Sequence, residues 1–480
     1  MIFSSIEFLV FFLIVLLLIA IVDSPFLCRV VSRNMQRKAE RIVLLVASYL
    51  FYGWWDWRFC FLMLFMTFLA WYSARQFERK ISSSFFRILG IVVPLVTLGV
   101  FKYSNFFLDS FCRIFSISLN HTLSIILPVG ISFYTFQSLS YTIDVCRGTL
   151  KSQSFLDVAV YISFFPQLVA GPIVKAADFI PQLHRRPDRN FKKLLNGIQI
   201  FCFGLFKKIV IADNLSVFVD DVFSRPGIFS SASVILAVIS YSIQIYMDFS
   251  GYSDMAIGSA LCLGYEFKPN FNLPYISTNV TVFWKRWHIS LSSWLQEYLY
   301  IPLGGNRTGN FRTYINLMIT MVLGGLWHGA NVTFIIWGAL HGIALCLHKA
   351  FKKSSLIPKS DSVFVKAFST VITYCFVCLC WVFFRADSLS SAFLILQKIF
   401  FWQDGVVQIF SWSVFAIILL FLCEIVAWLR SHCLGEKQIN GFYWILDLTN
   451  FWQLTAFFVF IGLIIALAYT GANPFIYFQF

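Results

Sequence analysis

The sequence predicts an all-α, polytopic membrane protein, and its composition carries that prediction. Of its 480 residues, 59% are hydrophobic and 12% are charged, whereas an ordinary soluble domain has about 25% charged residues. The chain also contains 57 phenylalanines and 15 tryptophans. A globular core cannot bury so much apolar surface, so most elements must contact lipid as well as each other. A water-soluble globule is therefore excluded.

Apolar segments that can cross or enter a hydrocarbon layer of about 30 Å recur along the whole chain. Several are too short for a simple span, which predicts tilted or re-entrant helices whose exposed backbone is covered by protein or by a water-filled cavity. We expect about 11–14 transmembrane, tilted and re-entrant helices in all. The segments are centred on 7–22, 42–54, 59–74, 88–103, 121–140, 155–172, 195–212, 231–248, 250–264, 314–326, 331–347, 365–384, 390–402, 411–429 and 451–470.

The charges indicate how the chain is oriented in the membrane. Segment 7–22 has no basic residue before it and no small-residue cleavage site after it, which predicts a retained helix. Five basic residues follow it in a short loop, so the positive-inside rule predicts that the loop is cytoplasmic and the N-terminus outside. The net charge of +14 is interpreted as the same bias. No basic run is interleaved with aromatic residues, which argues against nucleic acid as a partner. The loop residues are Arg29, Arg33, Arg37, Lys38 and Arg41.

The twelve cysteines lie mostly in apolar runs and are interpreted as small hydrophobic residues. Cys375, Cys378 and Cys380 have a C-x-x-C-x-C spacing that could indicate a metal site. The run 371–384 around them holds no histidine or acid to complete such a site. We therefore predict no bound metal.

The least membrane-like part of the chain is 265–330, where ionisable residues lie between apolar segments. Such residues at membrane depth are costly and indicate function. On one continuous helix, Trp284, Trp287, His288, Leu291 and Leu295 share a face. Two interpretations are open: an interfacial amphipathic helix with an aromatic belt, or part of an active site. The glycines of the following run, PLGGNR at 302–307, predict a turn.

A second polar motif, LGGLWHGAN at 323–331, places His328 between Gly324, Gly325 and Gly329. The glycines predict close backbone approach and little steric cover, as suits an imidazole that meets a substrate. A core histidine bonded to a carbonyl is the alternative. No serine nucleophile, carboxylate pair or phosphate loop accompanies His328, so a general base that deprotonates an attacking hydroxyl fits best. His341 and His348 are interpreted as structural.

Several ordered motifs resemble the membrane-bound O-acyltransferase family. They are YMDFSGYSDMAIG at 246–258, NLPYIS at 272–277, the run 283–295, YIPLGGN at 300–306 and LWHGA at 326–330. Segments 140–144, 164–173 and 381–386 are similar to the same family. The bacterial branch of the alginate O-acetylation membrane protein is the best match, and the teichoic-acid D-alanylation membrane protein is more distant.

The resemblance implies one integral membrane acyltransferase domain around a central funnel or tunnel. N-terminal helices would occupy 1–120, the family core 128–387, and C-terminal helices with an aromatic tail 388–480. The resemblance implies that His328 is catalytic and that His288 is a second, more variable polar position. The residues expected to contact substrate are Asp248, Trp284, Arg286, Trp287, Asn306, Trp327 and Asn331.

The C-terminal run NPFIYFQF at 473–480 is similar to an aromatic segment found in related acyl-transfer systems. The phenol of Tyr477 could accept an acyl group as an aryl ester and pass it on. An aromatic interface anchor is the other interpretation.

Together these features predict acyl transfer, most simply of acetyl from acetyl-CoA, with no bound cofactor. The expected setting is the bacterial cytoplasmic membrane, and the expected partners are an esterase-like extracytoplasmic transferase and a polysaccharide acceptor. Two alternatives are a transporter or flippase for a lipid-linked glycan and a non-catalytic component of an export complex. The matching half-repeats typical of many transporters are not evident in the sequence.

Overall fold

The computed structural model describes residues 1–81, 83–115, 125–169, 171–185, 187–307, 309–353, 362–433, 445–471 and 475–476. The regular secondary structure of the described residues is helical, apart from an isolated parallel bridge between Phe229 and Val406. The α-helices are α1 Ile6–Val22, α2 Pro25–Val30, α3 Arg33–Asp56, α4 Arg58–Glu78, α5 Ser83–Phe115, α6 Ile131–Cys146, α7 Phe155–Ser163, α8 Phe165–Leu168, α9 Ala176–His184, α10 Phe191–Leu205, α11 Asp213–Ser224, α12 Ser231–Cys262, α13 Val280–Arg286, α14 Ile289–Leu295, α15 Asn310–His328, α16 Val332–Lys353, α17 Val363–Arg385, α18 Leu389–Phe400, α19 Ser411–Cys433 and α20 Phe451–Leu467. Two π-helical stretches, Phe206–Ala212 and Gln296–Tyr300, and a 3₁₀ turn, Pro274–Ile276, complete the set.

Five of the described helical stretches are long and apolar enough to cross a membrane: Ser84–Cys112, Phe191–Ser224, Ser231–Cys262, Val332–Lys352 and Val363–Arg385. Four shorter apolar helices accompany them, at Ile6–Val22, Leu389–Phe400, Ser411–Cys423 and Phe451–Leu467. The predicted all-α, polytopic membrane class is therefore confirmed. The total of 11–14 membrane helices, the central funnel and the orientation of the N-terminus stay predictions.

The chain divides into two compact units. The first contains Met1–Phe201 and Tyr252–Lys268. Within it α4, α5 and α6 pack against one another, and α7 packs on α3. The guanidinium of Arg189 is paired with Asp23 and Glu40, and the hydroxyl of Tyr265 donates to Glu40 over 2.9 Å. Because a buried charge is stable only when it is paired, this cluster fixes segments that lie far apart in the sequence.

The second unit contains Cys202–Gly251 and Pro269–Phe480, and its closest helix pair is α15 with α16. Gly338 and Gly342 of α16 form a G-x-x-x-G pattern facing Met321 and Met318 of α15. Small residues at this spacing let two membrane helices approach closely. The pair carries His328 at the end of α15 and His341 within α16.

The structure differs from the predicted segments in three places. Segment 155–172 breaks at Phe164, whose ψ of 109° is not helical, directly before the short helix that contains Pro166. Segments 231–248 and 250–264 are instead one helix, α12. Gly251 does not interrupt α12, because the missing Cβ provides room for packing: an added Cβ would lie 2.7 Å from the carbonyl oxygen of Gly204.

The third difference concerns 283–295, for which one continuous helix was predicted. The structure has α13 and α14, separated by an extended Trp287 and a left-handed His288 with φ of 43°. The interpretation that residues of 283–295 share one helix face is therefore wrong. The predicted turn at 302–307 is confirmed, with Gly304 and Gly305 both at positive φ.

Candidate active site

His328 is the last residue of α15 and is buried, with 4% of its surface exposed. Aromatic rings surround its imidazole: ring centroids lie 5.0 Å away for Trp327, 5.2 Å for Trp337 and 5.3 Å for Phe384. A helix C-terminus carries partial negative charge and stabilises a nearby cation. The imidazole of His328 therefore lies among buried aromatic rings at the end of α15 where this partial charge is concentrated.

The glycines beside His328 have a different role from the predicted one. A Cβ on Gly325 would collide with the carbonyl oxygen of Phe334, and a Cβ on Gly329 would collide with the ring of the same residue. The predicted close approach of the backbone is confirmed, but the prediction that little protein surrounds the His328 imidazole is wrong. These glycines let α16 pack tightly around the histidine.

His288 lies at the break between α13 and α14, outside the five long apolar helices, and is fully buried. Its Nδ1 lies 3.3 Å from Oδ1 of Asn270. The backbone N–H of Ser290 donates to the same oxygen over 3.1 Å, which fixes the orientation of the Asn270 amide. Since that oxygen can only accept, Nδ1 carries the proton and Nε2 has the lone pair.

The remaining nitrogen of His288 is thus an acceptor, and no side chain among the described residues bonds to it. Burial lowers the pKa of His288 to about 3, so the imidazole is neutral at physiological pH. A neutral imidazole with one nitrogen held and the other available can accept a hydrogen bond or a proton from a substrate.

Trp327 connects the two histidines. Its ring centroid lies 5.0 Å from His328 and 6.3 Å from His288. Trp337 extends the cluster to His341, at 5.0 Å between centroids. The structure thus brings three histidines into one aromatic cluster, which we call the histidine cluster: His288, Trp327, His328, Trp337 and His341.

Asp248, on α12, belongs to a buried ion network. The ammonium of Lys208 lies 2.5 Å from Asp248 and 2.8 Å from Asp213, and all three residues are buried. The neighbouring residue, Phe249, contacts His288 edge to face, with ring centroids 4.5 Å apart. Asp248 therefore lies one residue from the ring that packs on the histidine cluster.

Comparison with known proteins decides the family. Residues 54–390 match the model of MBOAT, the membrane-bound O-acyltransferase family. The chain belongs to this family. It is accordingly an O-acyltransferase, which confirms both the resemblance and the prediction of an enzyme.

Named relatives of this O-acyltransferase share much of its length. It is 44% identical to a probable alginate O-acetylase of Pseudomonas aeruginosa over 75% of this chain and 70% of the relative. It is 39% identical to a peptidoglycan O-acetyltransferase of Helicobacter pylori, over 74% of this chain and 73% of the relative. A teichoic acid D-alanyltransferase of Streptococcus thermophilus is 28% identical over 56% of this chain and 70% of the relative, which confirms the more distant kinship.

Of the residues predicted to contact substrate in the O-acyltransferase, Trp327 lies within the histidine cluster. Trp284 borders the cluster and donates through Nε1 to Nδ1 of His341 over 3.3 Å. Trp287 is buried against Trp381, with ring centroids 5.0 Å apart, and the Trp381 ring in turn stacks on Trp337.

Three other predicted substrate residues contact the surrounding protein. Asn306 is exposed and accepts hydrogen bonds from Tyr300 and Lys349. Asn331 donates to the carbonyl of Asp387 over 3.2 Å and accepts from the N–H of Thr333. Arg286 contacts the carbonyl of Leu273 at 3.4 Å. Tyr477 lies outside the described residues.

Sequence reasoning missed Lys208, Asn270, Trp337 and Phe384. Lys208 had a signal, because a lysine inside the apolar segment 195–212 is costly without a partner. Asn270 and the two aromatic residues had none, since their contacts come from elements distant in the sequence.

The three cysteines with C-x-x-C-x-C spacing, Cys375, Cys378 and Cys380, lie on α17, where Cys378 and Cys380 are buried.

Proposed function

We propose that the chain transfers an acetyl group from acetyl-CoA to a hydroxyl for the O-acetylation of an extracytoplasmic polysaccharide, in the bacterial cytoplasmic membrane. The observation that carries the proposal is the histidine cluster, in which two buried imidazoles flank Trp327 in a chain of this family. The relatives named for alginate and peptidoglycan O-acetylation support the acetyl group and the polysaccharide acceptor.

In the proposed reaction His328 acts as the general base. It removes the proton from the accepting hydroxyl while the oxygen attacks the thioester carbonyl carbon. The carbon–sulfur bond then breaks, the new oxygen ester remains, and the proton passes from the imidazolium to the thiolate. His288, whose Nδ1 is held by Asn270, accepts a hydrogen bond through Nε2 from an amide N–H of the donor and orients the thioester, so that the only proton of the hydroxyl is free to pass to His328.

The proposed first acceptor is the phenol of Tyr477. The phenol of a free tyrosine side chain has a pKa of about 10. Because this pKa is lower than that of a sugar hydroxyl, the phenolate is a better leaving group than a sugar alkoxide. An acetylated tyrosine is therefore a reactive donor that an esterase-like partner can use on the outer side of the membrane. The partner collects the acetyl group and esterifies the polysaccharide.

Replacement of His328 tests the proposal. His328→Ala in purified protein should slow the release of CoA from labelled acetyl-CoA by about 100- to 10,000-fold, because general base catalysis contributes about that factor. The matched control is His348→Ala, whose imidazole is bonded to Thr281 over 2.9 Å and lies outside the proposed machinery. An unchanged rate in His328→Ala protein that runs as a single species in size-exclusion chromatography would refute the assignment.

The carrier role of Tyr477 has its own test. Tyr477→Phe keeps the aromatic ring and removes the hydroxyl, so it should abolish both labelling of the C-terminal peptide and acetylation of the surface polysaccharide. Full polysaccharide acetylation in this variant would leave the tail as an interface anchor.

A further inference from the structure

The end of α20 and the chain that follows it are hydrogen-bonded to α11 and to the π-helical stretch before α11. The side-chain amide of Asn214, on α11, donates to the carbonyl of Leu467, the last residue of α20, over 3.2 Å. The N–H of Tyr469 donates to the carbonyl of Ile209, within the π-helix Phe206–Ala212, over 2.9 Å. π-Helical turns interrupt the regular pattern of backbone bonds and occur frequently at functional sites. Here the turn supplies a backbone acceptor to the C-terminal segment.

A carboxylate holds the same segment further on. The N–H of Ile476 donates to Oδ2 of Asp248 over 2.9 Å, while Oδ1 of Asp248 lies 2.5 Å from the Lys208 ammonium. Asp248 is therefore buried and paired with an ammonium group. A hydrogen bond from a backbone N–H to a carboxylate is roughly twice as strong as one between neutral groups. A single tail amide thus donates to a buried carboxyl oxygen, a strong class of acceptor.

Apolar contacts lead from this point to the histidine cluster. Phe475 and Ile476 are buried, and the ring of Phe475 lies 5.8 Å from that of Phe249 between centroids. Phe249 in turn packs edge to face on His288. The bound part of the tail is thus separated from a candidate catalytic histidine by one aromatic ring.

We propose that Asp248, paired with Lys208, is a positioning residue that docks the C-terminal segment beside the histidine cluster. Tyr477 directly follows Ile476 in the sequence, so docking of Ile476 would limit how far the proposed acyl-accepting residue can lie from the histidine cluster. This last step rests on the proposed function, but the docking itself does not. Asp248 acts through the tail and has no part in the chemistry.

Photocrosslinking measures docking independently of activity. Phe475→p-benzoylphenylalanine, in the full chain in membranes, should crosslink to the peptide that contains Phe249. Asp248→Ala should lower the yield of that crosslink at least severalfold, and Asp248→Asn, which keeps a neutral acceptor oxygen, should lower it less. Asp220→Asn is the matched control, because this carboxylate pairs with Arg385. A wild-type yield in the Asp248→Ala protein would overturn the proposal.

A tail-side variant keeps the proposal testable if Asp248→Ala fails to fold. Ile476→Pro removes the donor N–H, whereas Ile476→Val keeps it along with an apolar side chain. We expect the first to lose the crosslink and the second to retain it; equal yields would overturn docking by Asp248. Tyr477→Phe should crosslink as well as the wild type while losing acetyl transfer. An active Tyr477→Phe variant with a normal crosslink would refute the carrier role and leave the docking intact.

Discussion

Asn270 is the residue that gives His288 its chemical character. Its Oδ1 accepts from the N–H and the hydroxyl of Ser290 and faces Nδ1 of His288, while its carbonyl accepts from the N–H of Ile289 over 2.8 Å. These bonds stabilise a histidine at positive φ, which is uncommon outside glycine. One asparagine therefore sets both the backbone break and the tautomer of the imidazole.

Substitution of Asn270 separates these effects. In Asn270→Leu the buried Nδ1–H loses its acceptor, a cost of about 1–3 kcal/mol, and we expect kcat for CoA release to fall by about ten- to a hundredfold. Asn270→Asp keeps an oxygen in place and should retain most of the activity at neutral and alkaline pH. Steady-state kinetics in detergent would measure both, with the Asn270→Leu protein first checked for an unchanged elution profile.

The pH profile of Asn270→Asp provides a further prediction. In the wild type, burial lowers the pKa of His288 to about 3, so this imidazole stays neutral over the working range. A carboxylate beside Nδ1 favours the protonated form and raises that pKa. Because the protonated ring has no free acceptor, the acidic limb of the activity profile should move to higher pH in Asn270→Asp. An acidic limb identical to that of the wild type would contradict the assignment of Nε2 as the acceptor.

At the scale of elements, the contact between α15 and α16 determines where His328 lies. Gly325→Ala should destabilise the protein by about 1–3 kcal/mol, as overpacking of a tight contact usually does, because the new methyl group meets the backbone of Phe334. Gly462→Ala is the control, since a Cβ there meets no other atom within 4 Å, and alanine favours a helix over glycine. Thermal unfolding in detergent should show a lower Tm for the first variant only; equal Tm values would mean that α15 and α16 are less closely packed.

Long apolar helices could be predicted from hydropathy alone, as the match between segment 451–470 and α20 shows. The positions at which helices are interrupted could not be predicted in this way. The interruption at Trp287 and His288 depends on Asn270, and the continuity of α12 through Gly251 depends on packing against Gly204. Both causes are tertiary contacts, which override local propensity. The catalytic role of His328 stays a prediction, and the packing role of its glycines required knowledge of the facing helix.

At the scale of the whole molecule, basic residues outnumber acidic ones. The 37 lysines and arginines outnumber the 23 acids, and the ion pairs Lys208–Asp248 and Arg189–Glu40 use some of these charges for internal cohesion. Buried pairs of this kind are screened little by salt, whereas exposed charges are screened strongly. The net positive charge at exposed positions is therefore what a solute senses, and salt can screen it.

The net positive charge predicts that the affinity for the acyl donor depends on salt concentration. The donor in the proposed function, acetyl-CoA, carries several phosphate charges, so a positively charged surface on the side where it enters should assist its binding. The screening length falls from about 10 Å at 0.1 M salt to about 3 Å at 1 M, and KM for acetyl-CoA should rise severalfold over that range. The uncharged acetyl thioester of N-acetylcysteamine is the matched control, and its KM should stay nearly constant because it has no phosphate to attract. If both donors respond equally to salt, the basic excess serves only to orient the chain in the membrane.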